Sequence, residues 1–240
     1  MLKIKKLSAE TDEQPLLIDI NLEIKAGEIH AVLGPEGSGK TALAHIIGGH
    51  PGIQVTEGSI LWNRKKIQDT DATNRSKLGI FLSFQYPAEF DNCSNWDIVK
   101  EMFSINHSGV TEVLVKYAAY CEMLGLGAEH GDRQPNGASM TIGQAKLTEL
   151  VHMLILDPKL VVLDELDHGL SESDVLIAGV VIKDFIQSSD KGCLVITKNQ
   201  KLLEILEPTH VHVMVDNTIK LSGGTELYKR IVEDGYSEFS

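Results

Sequence analysis

What this 240-residue sequence lacks narrows its function before any motif is read. It has no long hydrophobic run. The longest, Val175 to Ile182, falls far short of the roughly 20 apolar residues that a membrane-spanning helix needs. Direct membrane insertion is therefore not expected, and any membrane role requires a partner. The opening residues, Met1-Leu2-Lys3-Ile4-Lys5-Lys6, offer neither the apolar core nor the cleavage site of a secretory leader. Cysteine is scarce: Cys93, Cys121 and Cys193 are odd in number, widely spaced and form no Cys-x-x-Cys pair. That pattern suggests neither a disulfide framework nor a zinc site, and inert thiols in a reducing cytoplasm are expected. Positive charge is also short. Lys and Arg number 22 against 34 Asp and Glu, for a net charge of -12. An open nucleic-acid surface needs clustered Lys and Arg and is not expected. A small phosphorylated ligand held in a local site remains compatible with that charge.

What is present centres on Gly34-Pro35-Glu36-Gly37-Ser38-Gly39-Lys40-Thr41. This is the phosphate-binding loop pattern G-x-x-x-x-G-K-[ST]. Glycines let successive backbone N–H groups turn inward, and a following helix adds its positive N-terminal end. Lys40 is expected to reach the β- and γ-phosphates of a nucleotide, and the Thr41 hydroxyl to ligate Mg²⁺. Context supports the motif: Glu28 to Leu33 reads as a strand entering the loop, and Ala42 to Ile47 as a helix leaving it.

The rest of the chain alternates strands and helices. Leu2 to Leu7 and Leu16 to Ile24 read as an antiparallel pair, followed by a strand from Glu57 to Trp62. Asn63 to Lys77 reads as a loop with one short helix, and Gly79 to Phe84 as a buried strand. Helical spacing then runs from Ser94 to about Leu124, and Thr141-x-x-Gln144 is a capping-box start for a helix to Leu156. Short strands at Leu160 to Leu163, Leu194 to Ile196, His210 to Val215 and Thr218 to Leu221 are separated by helices at Ser171 to Gln187 and Lys201 to Leu206, with a last helix from Thr225. Such alternation predicts an α/β fold with a mainly parallel sheet. No internal repeat, low-complexity tract or second independent domain is evident.

Two further constellations carry chemistry. Leu160-Val161-Val162-Leu163-Asp164-Glu165 is an apolar strand ending in two acids. That puts carboxylates at the carboxyl edge of the sheet, where open α/β folds bind ligands. Asp164 is expected to hold Mg²⁺ and Glu165 to orient the attacking water. Gln85 follows the strand at Gly79 to Phe84. Its amide can touch both the metal and a water.

Together these residues resemble the ATP-binding-cassette ATPases, and within them the SufC-type ATPase of the SUF iron–sulfur cluster assembly machinery. The finer likeness is carried by Phe84 to Asn95, by Leu163-Asp164-Glu165-Leu166-Asp167-His168-Gly169-Leu170, by Pro208 to Val213 and by Ser222 to Tyr236. The resemblance implies a P-loop NTPase of the ABC ATPase type spanning 1–240 as a single domain. It implies an antiparallel β subdomain at about 1–30 and 52–70, and a helical subdomain at about 86–150. It further implies Mg²⁺-dependent ATP hydrolysis, an ATP-dependent homodimer, SufB- and SufD-like partners facing the segment after Gln85, and a cytoplasmic location. Ala42, beside the loop, joins the nucleotide-binding set. One alternative is the ATPase subunit of a membrane transporter; another is a non-hydrolysing nucleotide-sensing scaffold.

Three departures from the family pattern stand out. The signature loop Leu-Ser-Gly-Gly-Gln, donated by a second subunit, corresponds here to Met140-Thr141-Ile142-Gly143-Gln144. Thr141 and Gly143 keep a hydroxyl and a glycine for the γ-phosphate, while the β-branched Ile142 disfavours close backbone approach. Leu221-Ser222-Gly223-Gly224 matches the letters better but follows Glu165, and reads as a strand-to-helix turn. A histidine expected after Ile196-Thr197 is replaced by Lys198. The early chain offers no aromatic ring for adenine between Leu7 and Glu10. The expectation is that ATP and Mg²⁺ bind and that hydrolysis is slow.

Overall fold

A computed structural model describes residues 1–12, 14–85, 93–106, 109–133, 140–187 and 190–236. Strands β1 (Leu2–Glu10), β2 (Pro15–Ile24), β4 (Gln54–Trp62) and the short β5 (Lys65–Lys66) form an antiparallel sheet in the order β2-β1-β4-β5. A second, six-stranded sheet runs β10-β9-β3-β8-β7-β6. Its members are β3 (Ile29–Leu33), β6 (Ile80–Ser83), β7 (Leu160–Asp164), β8 (Gly192–Ile196), β9 (His210–Val215) and β10 (Thr218–Gly223). The first five of these pair in parallel, and β10 returns antiparallel to β9.

Strands β3, β7 and β8 are buried along their whole length, because both faces of the sheet are covered. The two-residue strand period divides their side chains between two cores. Val161, Leu163 and Val195 face one core with helices α5 (Ile142–Leu156), α6 (Glu172–Gln187) and α7 (Gln200–Leu206). Leu160, Val162 and Leu194 face the other, where Leu43 and Ile47 of α1 (Lys40–Gly48) lie between them and Ile4, Ile20 and Ile60 of the antiparallel sheet. The helix carrying the P-loop is thus clamped between two sheets, which fixes the loop at the carboxyl end of β3.

One expectation is resolved further and two strand starts are corrected. The helical spacing from Ser94 to Leu124 is two helices, α3 (Asn95–Asn106) and α4 (Val110–Met123). Gly109 is extended at the α4 N-cap and ends the continuous pattern. The strand expected from Glu57 starts earlier, at Gln54, because Val55 pairs with Ala9. The strand expected from Leu194 begins at Gly192. The capping box on α5 is present: Thr141 Oγ1 accepts from Gln144 N–H at 3.1 Å, and Gln144 Oε1 accepts from Thr141 N–H at 3.1 Å. The remaining helices are α2 (Ala72–Lys77) and α8 (Thr225–Asp234). The stretch 86–92 after Gln85, expected to face partners, lies outside the described residues.

Candidate nucleotide site

The loop after β3 needs its glycines. Gly39, the N-cap of α1, is left-handed at φ 93°, and a Cβ on Gly34 would lie 2.1 Å from the Met214 carbonyl oxygen. No acidic residue of α1 itself sits in its first turn, so its positive end is left for other groups. Lys40 Nζ folds back over the loop, donating to the carbonyl oxygens of Gly34 (3.0 Å) and Pro35 (2.6 Å) and to Ser38 Oγ (3.2 Å). These contacts are ones a phosphate can replace. Burial holds the Lys40 ammonium below its ordinary pKa, and the charge of Lys198 adds to that; Glu165 and Asp164 pull the other way.

Asp164, the last residue of β7, is fully buried. Neither carboxylate oxygen has a hydrogen-bond partner of good geometry among the described residues. Burial pushes this carboxyl up to about 6, and the neighbouring Thr41 hydroxyl counters that only in part. Glu165 turns away from the strand in the left-handed region, at φ 46°, with its N–H on the Ile196 carbonyl at 2.9 Å. Its Oε2 accepts from Gln85 Nε2 at 2.7 Å. The residues just beyond the paired ends of β6 and β7 are therefore also joined by a side-chain hydrogen bond.

A cavity of about 610 Å³ joins the loop to Gln85 and Glu165, while Asp164 lies buried behind Thr41 and does not line it. Its floor is Glu36, Gly37, Ser38, Gly39, Lys40, Thr41 and Ala42; Gln85, Glu165 and Lys198 close one side. The β1–β2 turn contributes Thr11 and Gln14, and the start of β2 Pro15 and Leu16, none of them aromatic. Flat faces come instead from His45 and His50, whose imidazoles stack at 5.0 Å and also line the cavity. Thr141 and Gly143 do not line it. They lie at the start of α5, where a Cβ on Gly143 would meet the Gly169 carbonyl oxygen at 2.5 Å.

The sequence reading missed the buried scaffold beneath the acids. Lys146 of α5 is wholly buried, and its Nζ donates to the Phe84 carbonyl and to that of Asp164 at 3.4 Å. Glu149 lies 3.9 Å from it and accepts from Ser83 Oγ at 2.6 Å. The available signal was a Lys–Glu pair one turn apart in a largely apolar helix. Asp167 accepts from the Thr197 hydroxyl at 2.6 Å, fixing the turn that presents Lys198.

A sequence profile described as "ABC transporter" matches residues 17–167. The chain belongs to the ABC transporter ATPase family. It is 36% identical, over 98% of its length and 94% of the relative's, to a probable ATP-dependent transporter of Synechocystis. Identity is also 36% to vegetative protein 296 of Bacillus subtilis, over 98% of this chain and 91% of that one. A dimeric ATP-binding cassette solved with ADP and Pi superposes with a TM-score of 0.80 at 19% identity, covering 93% of this chain and 98% of that chain. A cassette titled as the ATP-binding subunit of an ABC transporter gives 0.82 at 19% identity, over 99% of this chain and 98% of that one. The ABC cassette fold expected from sequence is the fold observed. ABC ATPases bind ATP with Mg²⁺, and the donors of this cassette suit that ion. A buried carboxylate without a partner, a threonine hydroxyl and a glutamine amide form an oxygen-rich set, and Mg²⁺ takes one or two carboxylates together with substrate phosphates. No helix among the described residues is long and apolar enough to cross a membrane.

Proposed function

We propose that this chain is the Mg²⁺-dependent, ATP-hydrolysing subunit of a larger ABC-type machine, with slow intrinsic turnover. The observation that carries the reading is the unpartnered Asp164 carboxylate buried beside the P-loop threonine. In this reading Thr41, Gln85 and Asp164 hold Mg²⁺, which supplies charge neutralisation at the β- and γ-phosphates. Lys40 leaves the Gly34 and Pro35 carbonyls for those phosphates. Glu165, released from Gln85, orients the attacking water, and Lys198 meets the γ-phosphate as a point charge. Thr141 and Gly143 complete the site of a second copy. Ile142 and Lys198 are the changes that slow turnover.

The names of relatives, "probable ATP-dependent transporter" among them, favour a transporter as the machine. An apolar groove of about 660 Å³, lined by Phe81, Phe84, Ile98 and Met102 beside Gln85, suits a partner segment that senses the nucleotide site. A second reading, iron–sulfur cluster assembly with SufB- and SufD-like partners, rests on the sequence stretches around Leu163 to Leu170 and Pro208 to Val213. Purification from its host separates the two. Recovery with an integral membrane protein supports the transporter; a soluble complex carrying iron and acid-labile sulfide supports assembly.

Steady-state hydrolysis tests the enzyme itself. Glu165→Gln is expected to lower the rate by on the order of 10²–10³ while ATP still binds. Lys198→His is expected to raise it, because imidazole can accept as well as donate a hydrogen bond. A wild type no faster than Glu165→Gln, with and without a co-purified partner, rejects the enzyme reading in favour of a nucleotide-sensing scaffold.

A further inference from the structure

At the opposite end of the parallel sheet from the P-loop, Glu28, His30 and His210 bring one ligand atom each within 4.8 Å of one another. His30 is the second residue of β3 and His210 the first of β9, and the two are direct register partners. We propose that these three side chains bind a divalent transition ion, of the Zn²⁺ class, that ties the amino ends of β3 and β9 together.

The hydrogen bonds define which nitrogens are available. Thr209 Oγ1 gives its single proton to the Ile29 carbonyl at 2.9 Å. Toward His210 Nδ1, 3.0 Å away, it can only accept. With the hydroxyl proton placed on Ile29, His210 takes the Nδ1–H tautomer and its Nε2 lone pair is free for an ion. His30 Nε2 lies 3.1 Å from Glu28 Oε2, so it donates its proton there while no ion is held. His30 Nδ1 contacts His212 Nε2 at 2.9 Å, and His212 Nδ1 contacts Ser222 Oγ at 2.7 Å. An ion taking the His30 Nε2 lone pair requires the proton on Nδ1. The relay permits this. His30 becomes Nδ1–H and donates to His212 Nε2, and His212 becomes Nδ1–H and donates to Ser222 Oγ. Both imidazoles stay neutral: the proton displaced from His30 Nε2 leaves to water, and one proton enters from water at Ser222, whose hydroxyl ends as an acceptor. Ligating histidines are usually oriented by such an outer partner on the second nitrogen.

Geometry sets what must move. Tetrahedral zinc with bonds of about 2.0–2.1 Å separates its ligand atoms by roughly 3.3 Å. The His30–Glu28 edge already has that length, at 3.1 Å. The His210 ring stacks on His30 at 4.3 Å with planes 16° apart, so its lone pair runs alongside rather than toward the shared point. It must tilt, and its half-exposed position at the strand end leaves room for that. The Lys25 ammonium, 3.7 Å from Glu28 Oε1 and largely exposed, swings out to water as the ion enters. Two imidazoles and one carboxylate leave a fourth position for water, a donor set that suits zinc and its neighbours better than Mg²⁺ or Ca²⁺.

Zinc titration of the full chain, free of nucleotide, tests the site by calorimetry, with long-range ¹H–¹⁵N NMR of the histidine rings as a second readout. One equivalent is expected to bind, and the His30 proton to move from Nε2 to Nδ1. His210→Ala and Glu28→Gln are expected to abolish that equivalent, and Ser222→Ala to weaken it by about 10-fold, as loss of an outer partner does. Cys93→Ser and His50→Gln are expected to retain it. Retained ATP binding in His210→Ala shows that the variant is folded. Absence of stoichiometric zinc in wild type, or unchanged affinity in both His210→Ala and Glu28→Gln, overturns the proposal. So does zinc binding that leaves the His30 tautomer where it was.

Discussion

At the scale of single residues, Asp164 combines a functional placement with a cost to the empty fold. Its carboxyl rises from an ordinary 3.8 to about 6 because burial disfavours the charged form. Between those values the folded chain holds a proton that the unfolded chain releases. The stabilising contribution is full below about pH 4 and is lost as pH rises through about 6, leaving a buried charge worth at most about 3 kcal/mol. Buried His130 and His152, each held down to about 4 by burial, slope the opposite way. The expected result is therefore a difference: thermal melts at pH 5 and pH 8 without Mg²⁺ or ATP, compared between wild type and Asp164→Asn. Asp164→Asn is expected to gain stability at pH 8 relative to pH 5, by several degrees at about 2–4 °C per kcal/mol. It is also expected to lose Mg²⁺-dependent ATP binding. Equal pH dependence in the two proteins means that Asp164 does not carry this titration.

At the scale of elements, the start of α5 does two jobs with one hydroxyl. Thr141 caps the helix through its bond from Gln144 N–H, and in the proposed function it also meets the γ-phosphate of a second copy. The two roles separate by substitution. Thr141→Ala is expected to cost about 1 kcal/mol of stability through loss of the cap, whereas Thr141→Asn keeps the cap. If the hydroxyl serves the nucleotide, both variants lose turnover and only the alanine variant melts earlier. Loss of turnover that merely follows the melting temperature leaves Thr141 as a cap alone. This element also shows what was legible in the sequence. The capping box follows from residue identity and a three-residue spacing, so it could be read directly. The adjacent Lys146 could not, because its role depends on the carbonyls of Phe84 and Asp164, which reach it only when three elements pack. The break between α3 and α4 was hidden for a related reason: Gly109 interrupts an apolar periodicity that continues on both sides.

At the scale of the whole molecule, the topology concentrates the P-loop, Gln85, the terminal acids of β7 and Lys198 at one edge of the parallel sheet. Strand period, the P-loop and the terminal acids of β7 are local signals, so they located that edge before any contact was known. The Glu28–His30–His210 group was not legible, since it needs β3 and β9 brought side by side; the His45–His50 pair is local in sequence, and only its place on the cavity wall needed the fold. The same topology separates Thr141 and Gly143 from the cavity that holds Lys40. A chain that hydrolyses ATP with both sets of residues must therefore borrow one set from another copy. Mixing two inactive variants tests this. A pair of Lys40→Ala and Thr141→Asn chains carries both defects in one site and leaves the other site intact. Each variant alone is expected to be nearly inactive, and an equimolar mixture to recover part of the wild-type rate, falling on dilution as the pair dissociates. A mixture no faster than its components, with ATP binding intact in Thr141→Asn, means that each chain works with its own residues or that Thr141 takes no part in turnover.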